Sequence, residues 1–106
     1  MIVITATFRV KPEHADNWPE ITRAFTEATR AEAGNHWFEW SRSVDDPQKY
    51  VLLEAFDDDA AGAHVNSDHF TQAQTDLPPY LEQTPKVING VLDIDGWSEL
   101  GEMQVD

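Results

Sequence analysis

The feature that most constrains the fold is the order in which two hydrophobic periodicities follow each other along the chain. Residues 2–10 alternate between two faces, which indicates a β-strand. Residues 15–33 repeat apolar side chains every three or four positions, which predicts an amphipathic helix. Gly34 is predicted to end that helix in a left-handed conformation. The remaining elements are predicted as strand, strand, helix and strand at residues 36–44, 50–56, 60–77 and 87–94.

This order predicts an α+β protein with a ferredoxin-like βαββαβ fold and an antiparallel sheet. Two helices cover one face of a four-stranded sheet, so the other apolar face is expected to be covered by a second copy of the chain. We therefore predict a homodimer that is joined sheet to sheet. Residues 1–95 form the predicted domain, and residues 96–106 form a C-terminal acidic tail that could contact the dimer partner.

The charge and the missing motifs exclude several classes of function. Twenty acidic and seven basic residues give a net charge of -13, which repels phosphate backbones and anionic lipids, so no nucleic acid or membrane partner is expected. The chain contains no cysteine, which fits a cytoplasmic protein. It contains no GxGxxG, GxxxxGK[ST], GxSxG or HExxH motif. No cofactor and no metal are therefore expected.

Candidate substrate-binding residues follow Gly34 in the second predicted strand. Asn35 could donate hydrogen bonds to a substrate oxygen, and Trp37, Phe38 and Trp40 could stack on a flat organic ring. Alternation along the strand places Phe38 and Trp40 on one face and Trp37 on the other. Packing in the core or in a dimer is the alternative interpretation of each aromatic residue, and backbone hydrogen bonding is the alternative for Asn35.

His64 and His69 are the candidate catalytic residues. In one unbroken helix they would point about 140° apart, but a break at Ser67 could bring both imidazoles to a shared pocket. His64 could also pair with Asp68, and two ligands alone are a weak metal signal. Glu54 is predicted to face an apolar layer, with either a raised pKa or a partner such as Arg9 or Arg42. It is therefore a further candidate for substrate binding or proton transfer.

Three segments of the chain resemble the antibiotic biosynthesis monooxygenase (ABM) domain family, and within it the small quinol monooxygenases. They are Glu32 to Asn35 followed by Phe38, the strand Tyr50 to Glu54, and the segment Ala63 to Phe70. The resemblance extends over about residues 2 to 94 and implies a dimeric α/β barrel. It implies oxidation of phenols or quinols by O₂ without a cofactor. Haem degradation, another activity of the family, is disfavoured because the axial histidine of those relatives aligns near Gln74.

These observations favour a cofactor-independent monooxygenase that oxidises a quinol or another aromatic small molecule with O₂. His64 or His69 would deprotonate the phenol, Asn35 would stabilise the oxyanion, and the three aromatic side chains would hold the ring. One alternative is an isomerase or tautomerase that uses the same base on a small carbonyl compound. Another is a dimer that binds a small molecule without catalysis.

Overall fold

The computed structural model describes residues 1–106 and contains four strands and four short α-helices. The strands are β1 (Ile2–Arg9), β2 (Asn35–Arg42), β3 (Lys49–Phe56) and β4 (Lys86–Val91). The helices are α1 (Trp18–Ile21), α2 (Arg23–Arg30), α3 (Ala61–Val65) and α4 (Asp68–Asp76). Short 3₁₀ helices span Pro12–Asn17, Pro78–Tyr80 and Gly101–Met103.

The strands form one antiparallel sheet in the order β2-β3-β1-β4. This is the ferredoxin-like arrangement, so the predicted fold class is confirmed. A bulge between Asn35 and Trp37 shifts the register at the start of β2, and His36 is the extra residue there. The bulge turns Phe38 and Trp40 toward the helices while Trp37 lies on the opposite face.

The first helical region is divided, which differs from the continuous helix predicted for residues 15–33. A 3₁₀ turn precedes α1, and Thr22 separates α1 from α2 with a non-helical φ of -94° and ψ of 0°. The Thr22 hydroxyl donates to the carbonyl of Trp18 at 2.9 Å. A threonine that bonds back to the preceding turn bends a helix, and this explains the division.

The hydrophobic core lies between the helices and one face of the sheet. Trp18 is its centre: it is 0% exposed, and its ring lies 5.9 Å from Phe8, 5.6 Å from Trp40 and 6.3 Å from Tyr50, measured between centroids. A neighbouring group, centred on Phe38, packs beside it. The helical side of the sheet is thus closed by aromatic side chains.

The other face of the sheet and the C-terminal segment leave apolar side chains open to solvent. No helix packs on the face that carries Val3, Val51 and Leu53, and Ile88 on β4 is 74% exposed. Trp97, 75% exposed, packs against Trp37 in a tilted arrangement with 5.2 Å between ring centroids. No helix in the structure has the length and apolar character needed to cross a bilayer.

Gly34 is required for a reason other than the predicted left-handed conformation. Gly34 does not adopt the predicted left-handed conformation. The residue with a positive φ is Gly96, at 147°. A Cβ atom added at Gly34 would overlap the Cβ of Ala60. The amide of Asp57 also donates to the Gly34 carbonyl at 2.9 Å. Close packing against the segment that precedes α3 therefore requires glycine at this position.

Replacing Gly34 by Ala is expected to lower the free energy of unfolding by about 1–3 kcal/mol, because the backbone near Ala60 must move to make room. Gly62→Ala is the matched control: nothing lies within 4 Å of the added Cβ, and alanine favours the helix by up to about 1 kcal/mol. Urea unfolding of both variants measures the difference. Equal stabilities would contradict the close-packing explanation.

Candidate functional site

A break between two helices brings the two candidate histidines together. α3 ends at Val65, and Ser67 caps the N-terminus of α4, where its Oγ accepts a hydrogen bond from the amide of Phe70 at 3.2 Å. The same hydroxyl donates to the carbonyl of His64 at 2.6 Å. His64 and His69 consequently approach to 6.0 Å between ring centroids. An unbroken helix would point them about 140° apart.

Glu32 joins the two imidazoles from the turn that follows α2. Its Oε2 accepts from His64 Nδ1 at 2.7 Å and from His69 Nε2 at 2.7 Å. When both imidazoles donate to this oxygen, their lone pairs lie on His64 Nε2 and His69 Nδ1. Sequence reasoning named Glu32 within the family resemblance but assigned it no role. His64 thus pairs with Glu32 rather than with Asp68, the partner considered from helical spacing.

Glu54 is buried behind His64 and has a perturbed pKa. Burial, and secondly repulsion by Glu32, raise the pKa of the Glu54 carboxyl to about 7. Its Oε1 lies 3.8 Å from His64 Nε2, which is too long for a hydrogen bond. The two arginines considered as partners lie elsewhere: Arg9 pairs with Asp46 and Glu82, and Arg42 with Asp16. Neither arginine pairs with Glu54, so of the two predicted alternatives the structure favours the raised pKa.

Four phenylalanines surround the His64 ring. The centroid distances are 4.9 Å to Phe56, 5.0 Å to Phe70, 6.0 Å to Phe25 and 6.4 Å to Phe38. His64 is only 5% exposed, while the side chain of His69 is 24% exposed. His69 is thus the member of the pair that an external molecule can reach.

An apolar groove of about 340 Å³ between α2 and α4 has His69 in its wall. The other lining residues are Ile21, Ala24, Phe25, Ala28, Gln72, Ala73, Asp76 and Leu77. A second cavity, of about 410 Å³, lies on the other side of α4 and shares Ala73 and Leu77 with the groove. Phe8 and Phe70 form its aromatic wall. Volumes of this size accommodate small aromatic molecules.

The predicted substrate-binding residues of β2 do not meet in one cavity. Phe38 is 1% exposed in the core, and the Trp40 indole donates to the Thr26 hydroxyl at 2.9 Å. Trp37 lies on the opposite face against Trp97, with its indole nitrogen buried and without a hydrogen-bond partner. The Asn35 amide nitrogen donates to the carbonyls of Trp37 and Ala55 at 3.0 and 3.3 Å. Asn35 therefore holds the bulge of the sheet.

The cluster of Glu32, Glu54, His64 and His69 can accept and hold a proton next to an apolar surface. A carboxylate that orients an imidazole and stabilises its protonated form is the arrangement used in acid–base catalysis. No sequence motif joins these residues, because Glu32 lies 32 residues before His64. The signal available in the sequence was a carboxylate just before a glycine turn, together with a later predicted helix that carries two histidines.

Comparison with known proteins gives consistent results. The model of the family described as "Antibiotic biosynthesis monooxygenase" matches residues 1–76. The chain is 32% identical over 71 residues to "Putative monooxygenase YcnE" of Bacillus subtilis (strain 168), covering 66% of this chain and 75% of that protein.

Solved structures with the same fold include one titled "Putative antibiotic biosynthesis monooxygenase from Nitrosomonas europaea", with a TM-score of 0.79 and 26% identity. That match covers 89% of this chain and all of the other. The structure of PA3566 from Pseudomonas aeruginosa matches with a TM-score of 0.71 and 27% identity over 83% of this chain and 89% of the other. The chain belongs to the antibiotic biosynthesis monooxygenase family.

Proposed function

We propose that this protein is a monooxygenase that oxidises a quinol or a similar electron-rich phenol with O₂ and needs no cofactor. Membership of the family supports the reaction class. The observation that carries the proposal is the imidazole of His69, held by Glu32 and set in the wall of an apolar groove. A flat phenolic ring fits such a groove with its hydroxyl toward the imidazole.

In the proposed reaction, His69 Nδ1 removes the phenolic proton. Glu32 accepts the hydrogen bond from Nε2, orients the ring and stabilises the imidazolium that forms. His64, held by the same carboxylate oxygen, fixes Glu32 in place. The surrounding phenylalanines keep water away from the phenolate, and Phe25 lies beside both histidines and in the groove wall with His69.

The phenolate then passes an electron to O₂, and the resulting radicals combine on the ring. One oxygen atom enters the product and the other leaves as water, so a quinol and O₂ give a hydroxyquinone and water. The two electrons that reduce the second oxygen atom come from the quinol itself. For this reason the proposed reaction needs no flavin, haem or external reductant.

Oxygen consumption with a panel of quinols tests the proposal. We expect quinol-dependent uptake that falls by about 100-fold or more in the double variant His64→Ala, His69→Ala, because the base is lost. His36→Ala is the matched control, since His36 pairs with Asp57 at 2.6 Å outside the cluster and should retain activity. Uptake that is absent, or unchanged in the double variant, would exclude the proposal. Turnover without O₂ would instead indicate a proton-transferring isomerase.

We further propose that the enzyme is a homodimer, with the open sheet face and the tail of residues 96–106 against the partner. The support is the exposed apolar surface of β4 and of Trp97. Ile88→Lys is expected to give monomers, because a charge would be buried between the sheets. Val44→Lys, at a residue 99% exposed in the β2–β3 turn, is the control. Sedimentation equilibrium measures the mass of each variant in solution, and a dimeric Ile88→Lys variant would contradict this arrangement.

A further inference from the structure

We propose that Glu32, His64 and His69 also bind one divalent transition-metal ion such as Zn²⁺, and that the bound ion inhibits the enzyme. The ion would occupy the position between the carboxylate and the two imidazoles. Its binding is a property of the cluster alone, whereas inhibition rests on the proposed function of His69. The two parts are therefore tested by separate measurements.

The ligand atoms already converge. One ligand atom from each of Glu32, His64 and His69 lies within 4.8 Å of the other two. Glu32 Oε2 is 2.7 Å from His64 Nδ1 and 2.7 Å from His69 Nε2. An ion about 2.0–2.2 Å from each atom needs those atoms roughly 3–3.5 Å apart, a spacing that small side-chain rotations provide. Two histidines and one glutamate with an open fourth position are a ligand set used by zinc sites.

The chemistry of the ligands selects the class of ion. Imidazole nitrogens favour Zn²⁺, Ni²⁺ and Cu²⁺, while Mg²⁺ and Ca²⁺ prefer oxygen ligands. Glu54 Oε1 lies 3.8 Å from the other nitrogen of His64, and a small movement of either side chain on metal binding would let it accept a hydrogen bond from that nitrogen. A carboxylate behind a ligating imidazole orients the ring and raises its basicity.

An ion can reach the cluster from solvent. A surface depression of about 420 Å³ has Glu32, Asp57 and Asp59 among its lining residues. The side chains of Glu32 and His69 are 16% and 24% exposed. The net charge of -13 raises the local concentration of cations at such an opening.

Metal binding would remove the lone pair that the proposed reaction uses. A neutral imidazole that ligates through Nε2 carries its single proton on Nδ1. His69 Nδ1 would then be a donor and no longer able to accept the phenolic proton. Glu32 would at the same time stop accepting the Nε2 hydrogen bond that supports His69 in the metal-free enzyme.

Isothermal titration of chelator-treated protein with Zn²⁺ tests the binding. We expect one ion per chain, with affinity lowered by about 100-fold or more in Glu32→Gln and in His69→Gln, because loss of a direct ligand costs at least as much as loss of a second-shell partner. His36→Gln is the matched control and should bind like the wild type, since His36 has one carboxylate partner and no second imidazole. Circular dichroism confirms that each variant is folded, and conclusions are drawn from those that are.

Unchanged Zn²⁺ affinity in the folded Glu32→Gln or His69→Gln variants would overturn the proposed site. So would equal affinity for Mg²⁺, or an equal loss in His36→Gln. Inhibition is measured as the fall in quinol-dependent O₂ uptake over the Zn²⁺ range that saturates the titration, and its reversal by chelator. Full activity of the saturated enzyme would overturn the inhibitory role. If no quinol is oxidised at all, the proposed function fails while the titration still decides the metal site.

Discussion

Replacing Trp18 by Ala is expected to lower the free energy of unfolding by about 3–5 kcal/mol. Trp18 is 0% exposed and packs against Phe8, Trp40 and Tyr50, so the substitution leaves a cavity at the centre of the aromatic core. A domain of this size has only about 5–15 kcal/mol of stability, so the variant should unfold at low denaturant. Urea unfolding monitored by circular dichroism measures the loss.

Trp18→Phe separates packing from polarity at the same position. The indole nitrogen of Trp18 is buried and has no hydrogen-bond partner. Removing an unsatisfied buried donor relieves a penalty of about 1–3 kcal/mol, which offsets part of the lost ring volume. Trp18→Phe should therefore cost much less than Trp18→Ala. Equal losses would show that the six-membered ring contacts are not what stabilises this core.

Glu54→Gln is expected to become progressively more stable than the wild type as the pH rises from about 4.5 to 7. The folded protein holds a proton on Glu54 that the unfolded chain releases near pH 4.5, because burial raises the folded pKa to about 7. The wild type therefore loses stability over this window, because the carboxyl is ionised in the unfolded chain while the folded protein still holds its proton. A difference of about 2.5 pKa units corresponds to roughly 3 kcal/mol.

Urea unfolding of both proteins at pH 4.5, 6 and 8 measures this effect. The stability difference between Glu54→Gln and the wild type should increase by about 3 kcal/mol across the series, since Gln does not ionise. Glu27→Gln, at an exposed position of α2 away from the open sheet face, is the matched control. A pH-independent difference for Glu54→Gln would show that Glu54 titrates normally and is not desolvated.

Much of the fold could be predicted from the sequence because local periodicity specifies each element. The alternation of residues 2–10 and the two aromatic strands predicted the correct order of elements along the chain. This order leads to the single sheet topology that the structure has. The division of the first helix at Thr22 was missed, because its cause is a hydroxyl bonded to the preceding turn rather than a change of period. Gly34 was assigned a turn conformation because its close neighbour, Ala60, is 26 residues away.

The candidate site could be predicted only in part. Ser67 indicated the helix break, and the break is what allows His64 and His69 to approach each other. Their common partner could not be found from spacing, because Glu32 lies on the connection between α2 and β2, 32 and 37 residues before the two histidines. Alternation along β2 predicted that Trp37 lies on one face and Phe38 and Trp40 on the other, and the structure places them so. The burial of Phe38 in the core and the contact of Trp37 with Trp97 could not be predicted, because both depend on distant segments of the chain.

The contacts between Glu32 and the two histidines determine when the cluster forms during folding. Glu32 belongs to the first βαβ half of the chain, while His64 and His69 lie in the second, at separations of 32 and 37 residues. Contacts of such separation are expected to form after the local elements. A growing chain that has not yet added α4 therefore holds no paired imidazoles. The proposed proton acceptor is therefore assembled only when both halves of the chain have packed together.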